Sequence, residues 1–471
     1  MTLHAPARRR DTYEGAWRKP ARPPARLAGP PRATHRPQAL ASGVPIDLVV
    51  IGLAVLALVI MNTIPTTLLT LSKIHYVSSG GNVLEKFHPA TYVLILAFCA
   101  VLLRDRGPIA ELDRMLSQAP LMLPYAFTIL LVFIQSVVLG RPVTSAIDTF
   151  VLPIVACLVV WSLSPAQRRP LVRALHALMI VNILLGYFEY LSGHRIVPLA
   201  VGDQVLTDEW RSTALFGHPL RAAGLVGAYT LALMLRPSLC PALVVRVPLI
   251  LMCIGSLFVF GGRTALVMVL AGVALLGAWS GLRLLRGART RLPVVLAGIC
   301  VSFLVAAVAI ALFDAGFLDK MLLRFTSDNG SAFARIESLH LLTSIGTREL
   351  LLGSEAPHID SLQSLYGIRL GIEDFWISCI AQYGLIATAL LTIGLGCFFA
   401  EVLRRAHRAA AALMVFLIII AASSVSFSAK GIMLTQYVLI ILLLLAKDRA
   451  AGPPSRDARA LRTGAPRLGP R

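Results

Sequence analysis

Long apolar runs dominate this chain and limit the folds that it can adopt. Because the hydrocarbon core of a bilayer contains no water, a spanning segment must satisfy its own backbone hydrogen bonds, and the α-helix does so in about 20 residues. Runs of suitable length, bounded by charged residues or by Gly and Pro, occupy 47–71, 87–103, 119–139, 148–163, 171–192, 219–235, 242–261, 263–282, 293–313, 374–400, 411–428 and 431–446. The sequence predicts an all-α, polytopic integral membrane protein with about twelve transmembrane helices.

The composition excludes several other classes of protein. Of the 471 residues, 57% are hydrophobic and 14% are charged, whereas soluble domains average about 25% charged. Such a chain is too apolar for a disordered protein or a nucleic-acid-binding globule. Its net charge of +20 would indicate a polyanionic partner only in a soluble protein, so the placement of that charge matters.

The basic residues are distributed unevenly. With the amino terminus in the cytoplasm, 31 of the 44 Lys and Arg residues fall on the inner side, and the outer loops hold 13 basic and 15 acidic residues. Because Lys and Arg next to a span resist translocation, this asymmetry predicts that both termini are cytoplasmic. Residues 1–45 and 447–471 are rich in Pro, Arg and Ala and are expected to be disordered, basic tails of a transmembrane domain, 46–446. We expect no nucleic-acid partner, since no aromatic residues interleave with the charge.

Two outer segments, about 193–218 and 314–373, are long enough to build a site, and the second lies between the ninth and tenth predicted helices. Within the second, apolar residues recur at helical spacing beside charged ones. The pattern predicts an amphipathic helix that either lies on the outer membrane surface or caps the bundle. Its apolar residues are Phe333, Ile336, Leu339, Leu341, Leu342 and Ile345.

Two arginines stand at outer ends of predicted helices. Arg211 precedes the sixth helix, and Arg263 opens the eighth after a tight Gly261-Gly262 turn. Guanidinium groups at headgroup level suit a membrane-bound phosphate or diphosphate, because their planar fork binds such oxygens in pairs. The alternative is that each arginine only reaches toward lipid headgroups. Gly262 would allow backbone to pack close to whatever Arg263 holds.

His358 lies late in the long outer loop, in a polar stretch that contains Gly353 and Pro357, and Asp360 follows two residues later. Neutral imidazole is the commonest general base, which makes His358 a catalytic candidate, although a surface histidine without a role fits the same pattern. His218 is a second candidate that also fits a helix start, where Pro219 would occupy the first turn. The chain has no Asp-X-Asp triplet and no glycine-rich ATPase loop, so we expect neither a metal nor another cofactor.

The order of these motifs resembles the superfamily of bacterial O-antigen ligases and Wzy-type polysaccharide polymerases. The resemblance covers roughly residues 205–400. Its Ser-Arg-X-Ala motif appears here as Gly-Gly-Arg-Thr-Ala, and the loop arginine, glycine and histidine would be Arg335, Gly353 and His358, with Gly384 in the next helix. The matching stretches read EWRSTALFGHPLRAAG, FGGRTALVMVLAG, ARIESLHLLTSIGTRELLLGSEAPHIDSL and EDFWISCIAQYGLIATALL.

The resemblance implies metal-independent, inverting glycosyl transfer at the outer face of a bacterial inner membrane. The donor would be an oligosaccharide on a polyprenyl diphosphate, and the acceptor would be a sugar hydroxyl of the growing polysaccharide. His358 would be the general base, Arg211 and Arg263 would bind the diphosphate, and Arg335 would bind a second phosphate or orient the loop. Membrane lipids and polysaccharide assembly proteins would be the remaining partners.

Three alternatives stay open. An O-antigen ligase would transfer finished chains to a lipid A core. The family's Pro-Asn is replaced here by His218-Pro219, and the Asn after the loop histidine by Ile359-Asp360, which leaves that choice undecided. A flippase or exporter of lipid-linked sugars would show an internal repeat and buried arginines, and we expect neither. A structural partner in a secretion complex would not need the outer arginines or His358.

Overall fold

The computed structural model describes residues 46–287 apart from 79, 105–106, 202–203, 206–209 and 236–241, isolated positions between 303 and 323, and residues 331–447 apart from 369–370, 373 and 424–428. The predicted disordered tails therefore lie outside the described residues, except for residue 447. So do most of the ninth predicted helix and the first part of the long outer loop.

In this part of the chain, helices occupy eleven of the twelve positions predicted to span the membrane. The helices, numbered here in chain order, are α1 (Ile46–Thr63), α2 (Thr66–Leu71), α3 (Pro89–Leu102), α4 (Pro108–Gln118), α5 (Met122–Val138), α6 (Thr144–Ser162, with a π-helical turn at Ile147–Val151), α7 (Arg169–Ser192), α8 (Pro219–Leu235), α9 (Leu243–Phe260), α10 (Arg263–Leu285), α11 (Ser331–Ser344), α12 (Thr347–Leu352), α13 (Ala356–Leu365), α14 (Phe375–Arg405), α15 (Ala410–Ala421) and α16 (Met433–Leu444).

Five of these helices are long and apolar enough to cross a membrane, namely α1, α6, α7, α10 and α14. The pair α4 and α5 would add a sixth span, but the two helices meet at 105°. Several other helices at predicted positions are apolar but shorter. The described structure is thus compatible with a helical membrane protein.

The first predicted span, 47–71, is not continuous. It divides into α1 and α2 at Ile64 and Pro65. Proline has no N–H to donate and its ring collides with the carbonyl of the preceding turn, which ends α1.

The centre of the bundle is formed by α8 and α16. Every residue of α16 is buried, as is almost every residue of α8. Around them, α1 packs on α3 and α7, α9 and α10 pack on α8, and α5 packs along α14. The helix ends that are predicted from the sequence to be outer carry the loops that hold the predicted site residues.

The two loops that are predicted to be outer differ in structure. The first contains a short antiparallel pair of strands, β1 (Ala200–Val201) and β2 (Gln204–Val205). The second contributes α11, α12 and α13, which pack on α14. The predicted amphipathic helix is α11: Leu341, with Ile345 just beyond its end, is buried against Ala381 of α14, while Phe333, Ile336 and Leu339 are exposed.

Candidate functional site

A buried carboxylate fixes the outer segment that leads into α8. Glu189, near the end of α7, accepts hydrogen bonds from the backbone N–H groups of Thr213 and Ala214, both at 2.8 Å, and of Ile196 at 2.9 Å. These three N–H groups replace the hydrogen bonds to water that the buried carboxylate loses on folding. The segment that begins at Arg211 is therefore held against α7.

Arg211 and Arg263 lie at the same end of the bundle. The N–H of Ser212 donates to the carbonyl oxygen of Val259 at 3.3 Å. Val259 is the penultimate residue of α9, four positions before Arg263, and Arg263 is the first residue of α10. Both arginine side chains are half-buried. The structure therefore brings these two predicted diphosphate-binding residues to one region.

The glycine before Arg263 has a packing role. A Cβ on Gly262 would overlap the Cβ of Ala223 in α8. Gly261, with φ of +65°, ends α9 in the left-handed region that favours glycine. The close approach of α8 therefore requires glycine at position 262, and the predicted role of Gly262 beside a ligand of Arg263 stays a prediction.

His218 lies at the start of α8. Its Nδ1 accepts a hydrogen bond from the N–H of Leu220 at 3.2 Å, and Pro219 is the first residue of the helix. The interpretation of His218 as a helix-start element is confirmed. The preceding residue, Gly217, is held by a hydrogen bond from Thr67 Oγ1 to its carbonyl oxygen at 3.2 Å.

Arg221 is buried between α8 and α16, and the sequence interpretation missed it. Its Nε and Nη2 donate to Oε1 of Gln436 at 3.2 and 2.8 Å, and only 8% of the residue is exposed. Gln436 in turn donates to the carbonyl oxygen of Met61 at 2.8 Å and to Oδ1 of Asn62 at 3.3 Å. The expectation of no buried arginine is wrong, because α8 is buried from its first turn and so encloses Arg221.

A lysine joins three segments that are predicted to lie on the outer side. Nζ of Lys430, in the connection before α16, donates to the carbonyl oxygens of Tyr76 at 2.9 Å and Lys86 at 2.5 Å, and to Oγ1 of Thr144 at 3.2 Å. It also lies 4.3 Å from the centroid of the Tyr76 ring. Burial lowers the pKa of Lys430 to about 8, and Asp148 opposes the shift. The apolar runs on either side of Lys430 gave no sign of these contacts.

Asp148 completes this outer cluster from the π-helical turn of α6. Its carboxylate accepts hydrogen bonds from the hydroxyl groups of Tyr76 and Thr91, both at 2.8 Å, and from the N–H of His88 at 3.0 Å. Asp148 is completely buried. These three hydrogen bonds compensate the buried carboxylate for the water that it loses. The sequence alone places Asp148 only at the start of a predicted span.

His358, the predicted general base, is paired with a carboxylate. It lies in the first turn of α13, and its Nδ1 is 3.0 Å from Oε2 of Glu349 in α12. The hydroxyl of Ser354 donates to the same oxygen at 3.4 Å. A carboxylate at Nδ1 fixes the orientation of an imidazole and leaves Nε2 as the proton acceptor. Sequence reasoning missed Glu349, because the eight residues that separate it from His358 include a turn between two helices.

Gly353, in the turn before α13, packs against the backbone of α14. A Cβ on Gly353 would lie 2.9 Å from the carbonyl oxygen of Gln382 and 2.8 Å from the side chain of Leu139. Its φ and ψ are 93° and 154°, a region that is essentially restricted to glycine. The close approach explains why the motif needs glycine here.

The same turn is held by the end of α5. Arg141 donates from Nε and Nη2 to the carbonyl oxygen of Ser354 at 3.2 and 2.6 Å. The side-chain amide of Gln135 donates to the carbonyl oxygen of Leu352. Neither Arg141 nor Gln135 was a sequence candidate, because both lie more than 200 residues from the loop that they hold.

Two further predicted residues have different outcomes. Asp360 is exposed on α13, where its carbonyl oxygen accepts a hydrogen bond from Ser364. It stands two residues beyond His358. Burial lowers the pKa of the Arg141 guanidinium, and Asp360 lies near enough to oppose that shift. Arg335 lies within α11, but its side chain is outside the described residues.

The predicted residues thus form two groups. Arg211, Arg263 and His218 are held by the ends of α7, α8 and α9, whereas His358, Gly353 and Asp360 are held on α5 and α14. Among the side chains that the structure describes, no three His, Cys, Asp or Glu groups lie close enough to share a metal ion. No family model matches the chain, and no curated protein matches it either. The resemblance to ligases and polymerases therefore rests on the motifs alone.

Proposed function

We propose that this protein polymerises lipid-linked oligosaccharide repeat units into an exopolysaccharide or O-antigen at the outer face of a bacterial inner membrane. The proposed topology has about twelve transmembrane helices with both termini in the cytoplasm. The donor is a repeat unit on a polyprenyl diphosphate, and the acceptor is a hydroxyl of the growing chain. The reaction is an inverting glycosyl transfer that uses no metal ion.

We assign a residue of the protein to each step of this reaction. The acceptor oxygen attacks the anomeric carbon and forms the new glycosidic bond, while the bond from that carbon to the diphosphate breaks. Nε2 of His358 takes the acceptor's proton. The leaving diphosphate keeps the electron pair, and Arg211 and Arg263 stabilise its charge. Arg335 binds a second phosphate or orients the loop.

The observation that carries the proposal is the pair formed by His358 and Glu349. Its 3.0 Å contact is the arrangement in which a carboxylate orients a histidine that acts as a base. The two half-buried arginines at an outer end of the bundle supply the second requirement, a cationic site for diphosphate.

Purified protein and a synthetic lipid-linked repeat unit test the proposal. We expect the wild type to form a ladder of polymers with chelator present, and H358A and R263A to leave the repeat unit unconverted. The matched control is H340A, because His340 lies in the same outer loop and also faces a carboxylate, Glu337, at 3.5 Å. Polymer of full length from H358A would show that His358 is not the general base. Loss of wild-type activity in the presence of chelator would show that the reaction needs a metal ion.

Ligation of finished polysaccharide onto a lipid A core is the alternative within the same chemistry. The same residues would serve it, since only the acceptor differs. Supplying the purified protein with a polymer donor and a lipid A core acceptor separates the two activities. Transfer to the core without chain growth would replace the polymerase proposal with the ligase.

One observation favours a transporter of lipid-linked sugars, namely the buried Arg221. A buried guanidinium bonded to an amide is one feature expected of a cationic path through a bundle. Vesicles that contain the protein and a fluorescent lipid-linked sugar test this alternative. Movement of the sugar between leaflets, lost in R221M but retained in H358A, would favour transport over polymerisation.

A further inference from the structure

The contact between His358 and Glu349 depends on the turn that joins their helices. Glu349 lies in α12, His358 lies in α13, and residues 353–355 join the two helices. The two side chains are 42% and 41% exposed, and a polar contact that is open to solvent contributes little to stability. The pair is therefore too weak to define the turn by itself.

The turn is fixed from α5 instead. Ser354 is buried, so its carbonyl oxygen needs an internal donor. Arg141 supplies two, at 3.2 and 2.6 Å. A hydrogen bond from a charged group to a buried carbonyl contributes more to stability than the exposed pair does. Arg141 therefore determines the position of this carbonyl.

Arg141 is itself held firmly. Its N–H donates to the carbonyl oxygen of Ser136 in α5 at 2.8 Å, across a turn in which Gly140 has a φ of +62°. Burial lowers the pKa of its guanidinium, and Tyr383 and Asp360 oppose the shift. Arginine keeps its charge in such surroundings, so both hydrogen bonds remain charge-assisted.

A continuous set of contacts leads from Arg141 to His358. The residue whose carbonyl Arg141 holds, Ser354, donates from its hydroxyl to Oε2 of Glu349 at 3.4 Å. The same oxygen faces Nδ1 of His358 at 3.0 Å. We propose that Arg141 is a positioning residue, which keeps Glu349 against His358 by holding Ser354. Its catalytic consequence rests on the proposed function, in which His358 is the general base.

Chemical modification tests the proposal without any assay of activity. Full-length protein in lipid nanodiscs is treated with diethyl pyrocarbonate, which reacts with unprotonated imidazole nitrogen, and mass spectrometry measures the rate at His358. We expect E349Q and R141Q to raise this rate several-fold to the same value, with no further rise in the double variant, and R141K to fall between R141Q and the wild type. The matched control is R173Q, which changes an exposed arginine of α7 and should leave the rate unchanged.

Two results of the labelling would overturn the proposal. One is that His358 is modified at the wild-type rate in R141Q and R141K but faster in E349Q, because Arg141 would then not hold the pair. The other is a wild-type rate in E349Q, because the pair itself would then be absent. Both results are independent of polymerisation, so they remain decisive even if the protein proves to form no polymer.

Kinetics supply a second readout if polymer forms. A positioning residue of a general base affects the chemical step, so R141Q should lower kcat about tenfold and leave KM for the lipid-linked donor unchanged. R141K should recover part of kcat. A change in KM alone would overturn the positioning role and assign Arg141 to donor binding.

Discussion

Gly384 packs directly against the backbone nitrogen of Gly353, at the point where the outer loop meets α14. A Cβ on Gly384 would lie 2.5 Å from the carbonyl oxygen of Leu351 and 2.6 Å from the carbonyl carbon of Leu352. The φ and ψ of Gly384 are 81° and 165°, so α14 is interrupted there. The two glycines thus form a contact between the loop that carries His358 and the helix beneath it.

We expect G384A to destabilise the protein by about 2–6 kcal/mol, since overpacking and a glycine-restricted backbone region each cost about 1–3 kcal/mol. The matched control is G396A in the same helix, where a Cβ would meet nothing within 4 Å. Its expected effect is below about 0.5 kcal/mol. Denaturant unfolding in detergent measures both, and equal stability of the two variants would contradict the contact.

The contact between Glu349 and His358 predicts a catalytic effect for E349Q. Glutamine keeps the shape of the side chain but removes the charge that stabilises a protonated imidazole. Because a general base contributes about 100- to 10,000-fold, we expect kcat for polymerisation to fall about tenfold or more, with KM unchanged. The control is E337Q, which alters the comparable pair with His340 on α11. Full activity in E349Q would show that His358 acts without this carboxylate.

The sequence was sufficient for features that depend on local patterns. Apolar length located eleven helices in the described residues, and Pro219 with His218 located the start of α8. The order of the motifs selected His358, Gly353 and Gly384. The helices and the start of α8 are determined by neighbours within one or two helical turns, whereas His358, Gly353 and Gly384 were selected through the family resemblance.

The sequence was insufficient where contacts join distant parts of the chain. Arg141 reaches the His358 turn only because α5 packs along α14, and no local pattern in the sequence indicates that packing. Glu349 meets His358 only through the turn at 353–355. The break in α1 at Pro65 was missed because a proline is tolerated in many membrane helices. The burial of Arg221 depends on α8 lying at the centre of the bundle, which hydropathy alone does not give.

The contact between Arg221 and Gln436 predicts an asymmetric pair of effects on stability. R221M leaves the Gln436 oxygen without these donors, and we expect a loss of about 1–3 kcal/mol. Q436L leaves a buried guanidinium uncompensated and also removes the donors to Met61 and Asn62, so we expect about 3–5 kcal/mol. The double variant should lose less than the sum of the two, because each change already breaks the shared bond. Additive losses in denaturant unfolding would show that the two residues act independently.

The lowered pKa of Lys430 predicts that the stability of the protein depends on pH, and a single substitution can isolate this contribution. Burial holds the pKa of Lys430 at about 8 in the folded protein, against 10.5 ordinarily, while Asp148 attracts and Lys86 repels its charge. Between pH 8 and pH 10.5 the unfolded chain therefore binds more protons at this position than the folded protein does. Raising the pH through that window favours the folded protein, so this contribution to the free energy of unfolding increases with pH.

The variant K430R keeps a positive charge throughout the same window, since arginine does not titrate there. The melting temperature of the wild type, measured in detergent at intervals from pH 7 to pH 10.5, should therefore rise relative to that of K430R as the pH passes 8. Groups elsewhere in the chain titrate in both proteins, so their effects cancel in the difference. A difference that stays constant from pH 7 to pH 10.5 would mean that Lys430 keeps its ordinary pKa, and that its ammonium is not desolvated by Tyr76, Lys86 and Thr144.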